Sequence, residues 1–349
     1  MKELNIAVVH NKIRDYRNPL FRKISENYNT DFYIFDGTED SYPYNAYFLS
    51  GKDLFLEIAR GDYDVVILPD FVFKHAWLAG SAAVLSGAGI VSWTEVWDMP
   101  HTKFSKTMMK RLLAFGMGII SDTFVVPGKK SEDFIKKSSF MKSSVIFTAP
   151  NAPYLPGKEQ SVHKYYDISG DKEIVLFLGR LIEIKRVEDI IKAVDMIDSS
   201  GQIQLLIGGE GEEEYTESLK AISNADITNY LGWVPREHVK ALYELSDVYV
   251  LPSLTDAYPL TVVEAMSVGT PVVISEGVGE AGDIVRQGET GEIVPTKSPE
   301  ALADAIKKIL TNPKYAERLS AKGKKVVSEE ATYEKMLQGF SDAIERATE

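Results

Sequence analysis

Short runs of apolar, mostly β-branched residues alternate with longer amphipathic stretches along the whole chain. In the first half the runs lie at 4–9, 31–36, 64–69, 89–95, 122–127 and 144–149, with helix-like segments between them, such as 74–86 and 103–115. They are too apolar for strands with one wet face, so both faces of the sheet are expected to be covered. Strand–helix alternation of this kind predicts a parallel sheet wrapped by helices. The pattern breaks over 150–173, a stretch rich in Pro, Gly and polar residues. It restarts with apolar runs at 174–180, 203–209, 227–232, 247–253 and 270–275, and the tail 298–349 reads as helices interrupted by Asn312 and Pro313. The expectation is an α/β chain of two domains, each a parallel sheet wrapped by helices, 1–152 and 170–330, joined by a linker at 153–169. Two such domains leave a cleft, and open parallel sheets bind ligands beyond the carboxyl ends of their strands.

Charge divides the halves. The chain of 349 residues has a net charge of −12. Residues 1–150 hold 18 Lys and Arg against 17 Asp and Glu, whereas residues 151–349 hold 21 against 34. The acidic half argues against nucleic acid as a partner. Within the first half, 103–142 is the basic exception, with nine basic and three acidic residues. With no cysteine, disulfides, thiolate metal sites and cysteine nucleophiles are excluded. No run is long and apolar enough to span a bilayer, and the N-terminus lacks a signal-peptide layout, so a cytoplasmic protein is expected.

The strand ends carry the chemistry. Arg180 follows one run directly after Gly179, and Lys185 and Arg186 stand near the start of the next helix. Cations oppose the dipole at a helix N-terminus, and a bound phosphate would resolve the conflict. Gly208, Gly209 and Glu210 follow the next run, where glycines permit close backbone approach to a ligand. The acids that follow them are placed to cap the helix start. After the run 247–253 comes a turn with Asp256, then a helix in which Thr261 and Glu264 have the T-x-x-E spacing of a capping box.

Five segments reach a family: GRLIEIKR, GGEGEE, LGWVPREHV, YVLPSLTDAYPLTVVEAMSVGTPVV and GETGEIVP. In this order and spacing they resemble the GT4 group of retaining glycosyltransferases, across nearly all of the second half. The first half is supported more weakly, by its strand order and by Pro150–Asn151. The resemblance implies a GT-B fold of two Rossmann-like, doubly wound domains facing across a cleft, a nucleotide-sugar donor held by the C-terminal domain, and a last helix, about 331–349, crossing back to the N-terminal domain. Arg180 and Lys185 match the pair that neutralises the donor diphosphate. Asp256 and Glu264 match an acid-x7-acid motif whose first acid contacts the donor sugar and whose second contacts the ribose. The first acid is usually glutamate, one methylene longer. Backbone groups of Tyr258, Leu260 and Thr261 match those that hold sugar and phosphates, and Trp233 and Val234 match the loop beside the base.

Acceptor-side residues are less marked. The stretch 10–21 lacks the glycine pair of many relatives. His10, Arg14 and Arg17 are placed either to meet a phosphate or acidic acceptor or to form a solvated edge. Glu95 lies closest to the position of the acceptor-side histidine of the family, and His101 follows six residues later. The D-x-D at Asp62–Asp64 precedes a strand, at the end away from the cleft, so no metal and no other cofactor is expected.

The implied reaction moves a sugar from a UDP- or GDP-sugar to a hydroxyl of a glycan or lipid-linked acceptor. The basic stretch 103–142 suggests peripheral contact with an anionic membrane at its inner face. An ordinary sheet-covering helix with its apolar face inward is the competing reading for the helix itself. A nucleotide-sugar epimerase and a non-catalytic sugar-nucleotide binding protein are the alternatives. A two-carboxylate glycosidase fits less well, because Glu264 belongs to a phosphate-type site.

Overall fold

The computed structural model describes residues 4–36, 42–98, 102–157, 162–163, 165–198, 201–279 and 281–349. It divides into two compact units. One comprises the chain up to Asn151 together with Thr332–Glu349, and the other contains Ala152–Ala331.

The first unit is a parallel sheet of β1 (Asn5–His10), β2 (Asn29–Ile34), β3 (Asn45–Phe48), β4 (Val65–Leu68), β5 (Gly89–Trp93), β6 (Thr123–Val126) and β7 (Ile146–Thr148). The strand order is β3-β2-β1-β4-β5-β6-β7. Every position of β4 and β6 is buried, as the unbroken apolar runs require when helices cover both faces. β3 was not expected. It is a four-residue edge strand, half exposed along its length, so its pattern carries no apolar run. The C-terminal helix Tyr333–Ala347 belongs to this unit, with Met336, Phe340, Ala343 and Ile344 buried. Phe340 meets Trp93 edge-on at 4.9 Å. Gly339 is obligatory there, since a Cβ would stand 2.2 Å from the Thr148 carbonyl oxygen.

The second unit is a parallel sheet of β8 (Glu173–Leu178), β9 (Ile203–Gly208), β10 (Thr228–Gly232), β11 (Val248–Leu251), β12 (Val272–Ser275) and β13 (Glu292–Val294), ordered β10-β9-β8-β11-β12-β13. β13, an edge strand that begins with Glu292, writes no unbroken apolar run and was not expected. Part of the supposed linker 153–169 is core: Val162, Tyr166 and Ile168 are buried against this sheet. The polar composition around them hides three anchors spaced too irregularly to read as an element. In both sheets the chain reverses its direction of growth beside the first strand, β1 or β8, which is where doubly wound folds open a crevice.

The helix Phe104–Ile120 corrects another expectation. Only Ala114 and Met117 of its residues are buried, so its apolar face does not cover the sheet in the ordinary way. Asp64, in the D-x-D stretch, accepts a hydrogen bond from the Asn5 amide at 2.9 Å, at the amino ends of β1 and β4.

Candidate functional site

In the second unit a cavity of about 450 Å³ opens at the carboxyl ends of β8, β9 and β10. Gly179 and Arg180 line it after β8, Gly208, Gly209 and Glu210 after β9, and Trp233 and Val234 after β10. Thr261 contributes from the helix Leu260–Val268 that follows β11. The loops come together because the ladder continues past the strands: the Gly179 amide donates to Gly208 at 3.0 Å and the Gly209 amide to Gly232 at 2.8 Å. Gly209 has φ of +133°, and a Cβ there would lie 1.8 Å from the Gly179 carbonyl oxygen. Glycine at 209 is thus fixed by backbone approach between the two loops. The acids after it do not cap: the helix Glu213–Ile222 has no side-chain cap.

Charge in this unit is partly committed. Arg186, at φ +55°, pairs with Glu188 and Asp189, the latter at 2.7 Å. Lys185 Nζ is hydrogen-bonded to Asp256 Oδ2, with both side chains largely buried. Two expected donor ligands therefore meet each other. The Arg180 guanidinium is exposed on the cavity and has no ion-pair partner among the described residues. The first amides of the helix Leu260–Val268, those of Leu260 and Thr261, make no backbone hydrogen bond among the described residues. A helix N-terminus facing an unpaired guanidinium is an anion site in the making. Half-buried Tyr258 packs against the core beside it.

Glu264 does not complete a capping box. The helix has Pro259 at its N-cap with no side-chain cap, and Glu264, 1% exposed, turns inward. Its Oε1 accepts from Arg236 Nη2, its Oε2 lies 3.3 Å from Arg236 Nη1, and Tyr243 donates to Oε2 at 3.4 Å. Arg236 also donates to the Tyr154 carbonyl. Burial pushes the Glu264 carboxyl above its ordinary value, and Arg236 opposes that shift. Arg236 lines the cavity and was given no role by the sequence reading, although it stands inside a quoted motif. A fork-shaped cation one turn after β10 was the available signal.

The first unit holds a separate cavity of about 310 Å³ at the carboxyl ends of β1, β4 and β5. His10, Arg14, Arg17, Asp70, Trp93 and Glu95 line it. Arg17 is no solvated edge residue. It is 5% exposed, donates to Asn151 Oδ1 and Glu95 Oε1 at 2.5 Å each, and lies over the Trp93 ring at 4.5 Å. Asn151 closes the triangle by donating to Glu95 at 3.0 Å. His10 packs on Phe21 and Trp93, and burial together with the Arg17 charge lowers its pKa to about 3, so it is neutral at physiological pH. His101 lies outside the described residues.

Asp70 was missed, although it stands two residues past the end of β4. It accepts from the Val72 amide at 3.2 Å, the Thr94 hydroxyl at 3.1 Å and the Glu95 amide at 3.4 Å. Burial, with a smaller push from Glu95, raises its pKa to about 6. A carboxyl whose folded pKa exceeds its unfolded value favours the folded state most at low pH, and that contribution disappears as pH rises through the folded value. Between about pH 4 and 6 the wild type should lose about 2–3 kcal/mol relative to Asp70→Asn, given 1.36 kcal/mol per unit. Chemical denaturation of both proteins across that range checks it, and parallel curves would refute the assignment.

Comparisons place the chain among known proteins. Residues 159–326 match the family described as Glycosyl transferases group 1. An uncharacterized glycosyltransferase of Methanocaldococcus jannaschii is 30% identical over 173 residues, covering 49% of this chain and 44% of that protein. A D-inositol 3-phosphate glycosyltransferase of Corynebacterium aurimucosum is 24% identical over 300 residues, covering 76% of this chain and 68% of that one. The crystal structure of Anabaena HepE in complex with UDP superposes with a TM-score of 0.80 at 15% identity, over 98% of this chain and 100% of that one.

Proposed function

The second half of the chain, residues 159–326, belongs to the glycosyl transferases group 1 family, and from that premise we propose that the protein is a retaining GT-B glycosyltransferase of the GT4 group. Its donor is a nucleoside-diphosphate sugar, UDP- or GDP-linked, and its acceptor is a hydroxyl of a glycan or lipid-linked molecule. The observation that carries this reading is the second-unit cavity, where three strand-end loops, an exposed Arg180 with no ion-pair partner among the described residues and the start of the helix Leu260–Val268 converge. The UDP named with the HepE structure supports a uridine nucleotide.

The chemistry follows from the charges. The bond between the anomeric carbon and the diphosphate breaks, and the diphosphate leaves with the electron pair. Arg180 and the amides of Leu260 and Thr261 stabilise the negative charge that develops there. The new bond forms to the acceptor oxygen, whose proton passes to the leaving phosphate, so no protein base and no metal is required. Lys185 is held by Asp256 until donor phosphate competes for it. Glu264, buried and turned inward, holds Arg236 at the cavity wall, and the 70%-exposed Trp233 offers the base an apolar surface. The reaction takes place on the cytoplasmic side. No helix among the described residues is long and apolar enough to cross a membrane.

A panel of UDP-, GDP- and ADP-sugars tests the donor assignment by thermal shift, since a ligand of the native state raises the melting temperature. One nucleotide class should stabilise the protein. Trp233→Ala should raise the donor KM roughly tenfold or more, in keeping with about 1–3 kcal/mol for aromatic stacking on a base. An unchanged KM would remove Trp233 from the site. The half-buried Asp70 and Glu95 of the first unit favour one second reading, a nucleotide-sugar epimerase with carboxyl acid–base groups. Conversion of a donor without any acceptor would establish that reading instead.

A further inference from the structure

Arg236 stands where local physics disfavours it. It is the first residue of the helix Arg236–Leu245, whose N-cap is Pro235 and which has no side-chain cap. A cation at that end of a helix opposes the dipole. The opposition is offset by Glu264, which is 1% exposed and accepts from both Nη atoms of the guanidinium. Tyr243 donates to the same carboxylate. Arg236 donates in turn to the Tyr154 carbonyl and lies over the Tyr154 ring at 5.5 Å. Removing a carboxylate from water is costly unless it is paired and hydrogen-bonded. The second unit thus uses a buried carboxylate to fix one cation at the wall of its cavity.

Two observations say what that cation meets. The first is its place. Trp233 lines the same cavity three residues before Arg236, and Thr261 lines it one helical turn before Glu264. Arg236 is therefore joined to the proposed base surface through the chain, and to the proposed diphosphate site, the amides of Leu260 and Thr261, through Glu264. In a nucleoside diphosphate the group that joins base to diphosphate is the ribose. The second observation is charge. A guanidinium has five N–H groups. Three are engaged by Glu264 and Tyr154, and the other two have no acceptor among the described residues. With its charge matched by Glu264, Arg236 attracts phosphate weakly, but its rigid fork remains a well-aimed donor to a neutral oxygen. Glu264 presents its own oxygens to Arg236 and does not join the cavity wall.

We propose that Arg236, aimed by Glu264, recognises the ribose of the donor by donating a hydrogen bond to a ribose hydroxyl oxygen. The proposal rests on the nucleotide-sugar reading of the second-unit cavity. It makes Glu264 a positioning residue, one step behind the contact. The ribose contact expected of the second acid of the motif passes to an arginine 28 residues earlier in the chain.

Calorimetric titration tests this on the wild type, Arg236→Ala, Glu264→Gln and the two changes combined. The probes are UDP, GDP and ADP, then the 2′-deoxy and 3′-deoxy forms of the one that binds the wild type best. The wild type should bind at least one deoxy form about tenfold more weakly than its parent, the loss expected for one hydrogen bond to a charged group. Arg236→Ala should bind parent and deoxy forms alike. A merely structural arginine would not produce that result, because loosened packing weakens parent and deoxy forms together. The combined variant carries the same comparison without a stranded charge, should Arg236→Ala prove too unstable to titrate. Glu264→Gln should keep part of the preference, since its amide oxygen still accepts from Arg236. A preference that survives removal of Arg236, or that vanishes completely in Glu264→Gln, would overturn the proposal. Equal binding of parent and deoxy forms by the wild type would also overturn it, and would leave the donor reading standing. Failure of all three diphosphates to bind would overturn both.

Discussion

Arg180→Ala lowers kcat/KM for the donor by about 10²–10³, the usual loss when one preorganised donor to a developing oxyanion is removed. It leaves the melting temperature unchanged, because the guanidinium is exposed and has no ion-pair partner among the described residues. Lys185→Ala also abolishes most transfer, but its profile differs. Lys185 is hydrogen-bonded to the largely buried Asp256, so its removal leaves a carboxylate without its cation and lowers stability by about 1–3 kcal/mol. Steady-state kinetics and melting curves on the two variants separate a residue that acts only on ligand from one that also organises the loop. Normal turnover in both would eliminate the diphosphate assignment.

The second large effect belongs to Arg236. Glu264 is 1% exposed, and Arg236 is its sole ion-pair partner among the described residues. Breaking a buried pair from one side costs about 3–5 kcal/mol. The lower end applies here, because the Arg236 side chain is 34% exposed and water softens its loss. For a unit of this size that is roughly 6–12 °C in melting temperature. The pH dependence has a definite sign. Glu264 already has a raised pKa from burial, and without Arg236 it rises further. A raised carboxyl contributes stability below its unfolded pKa and loses it as pH climbs, so the Arg236→Ala deficit is larger at pH 8 than at pH 5. Arg236→Ala combined with Glu264→Gln should recover part of the deficit, since no charge is then stranded. A pH-independent deficit with no recovery would mean that Arg236 acts by packing alone.

The sequence pattern yielded the strands that write apolar runs and missed two edge strands that do not. Strands buried on both faces write unbroken apolar runs, so β4, β6, β11 and β12 were legible. β3 and β13 lie at sheet edges; β3 is partly exposed throughout and begins with Asn45, and β13 begins with Glu292, so neither writes an unbroken apolar run. The site divides along a similar line. Residues directly following strands were found, because topology places them at the ligand crevice: Arg180, Gly208 to Glu210, Trp233 and Glu95. Asp70 obeys the same rule, two residues past β4, and was overlooked. Side-chain pairings were not legible. The spacing of Thr261 and Glu264 suggested a cap, but the burial of Glu264 against Arg236 depends on the packing of the helix Arg236–Leu245, 28 residues away in sequence. Lys185 with Asp256 and Arg17 with Glu95 are likewise tertiary pairs, 71 and 78 residues apart.

Calorimetric titration of the wild type and Arg180→Ala with UDP, GDP and ADP tests the central claim most directly, because it reads the second-unit cavity without requiring an acceptor. The account predicts that one of these diphosphates binds the wild type and binds Arg180→Ala at least tenfold more weakly. Equal binding by the two proteins, or no binding of any of the three, would contradict it.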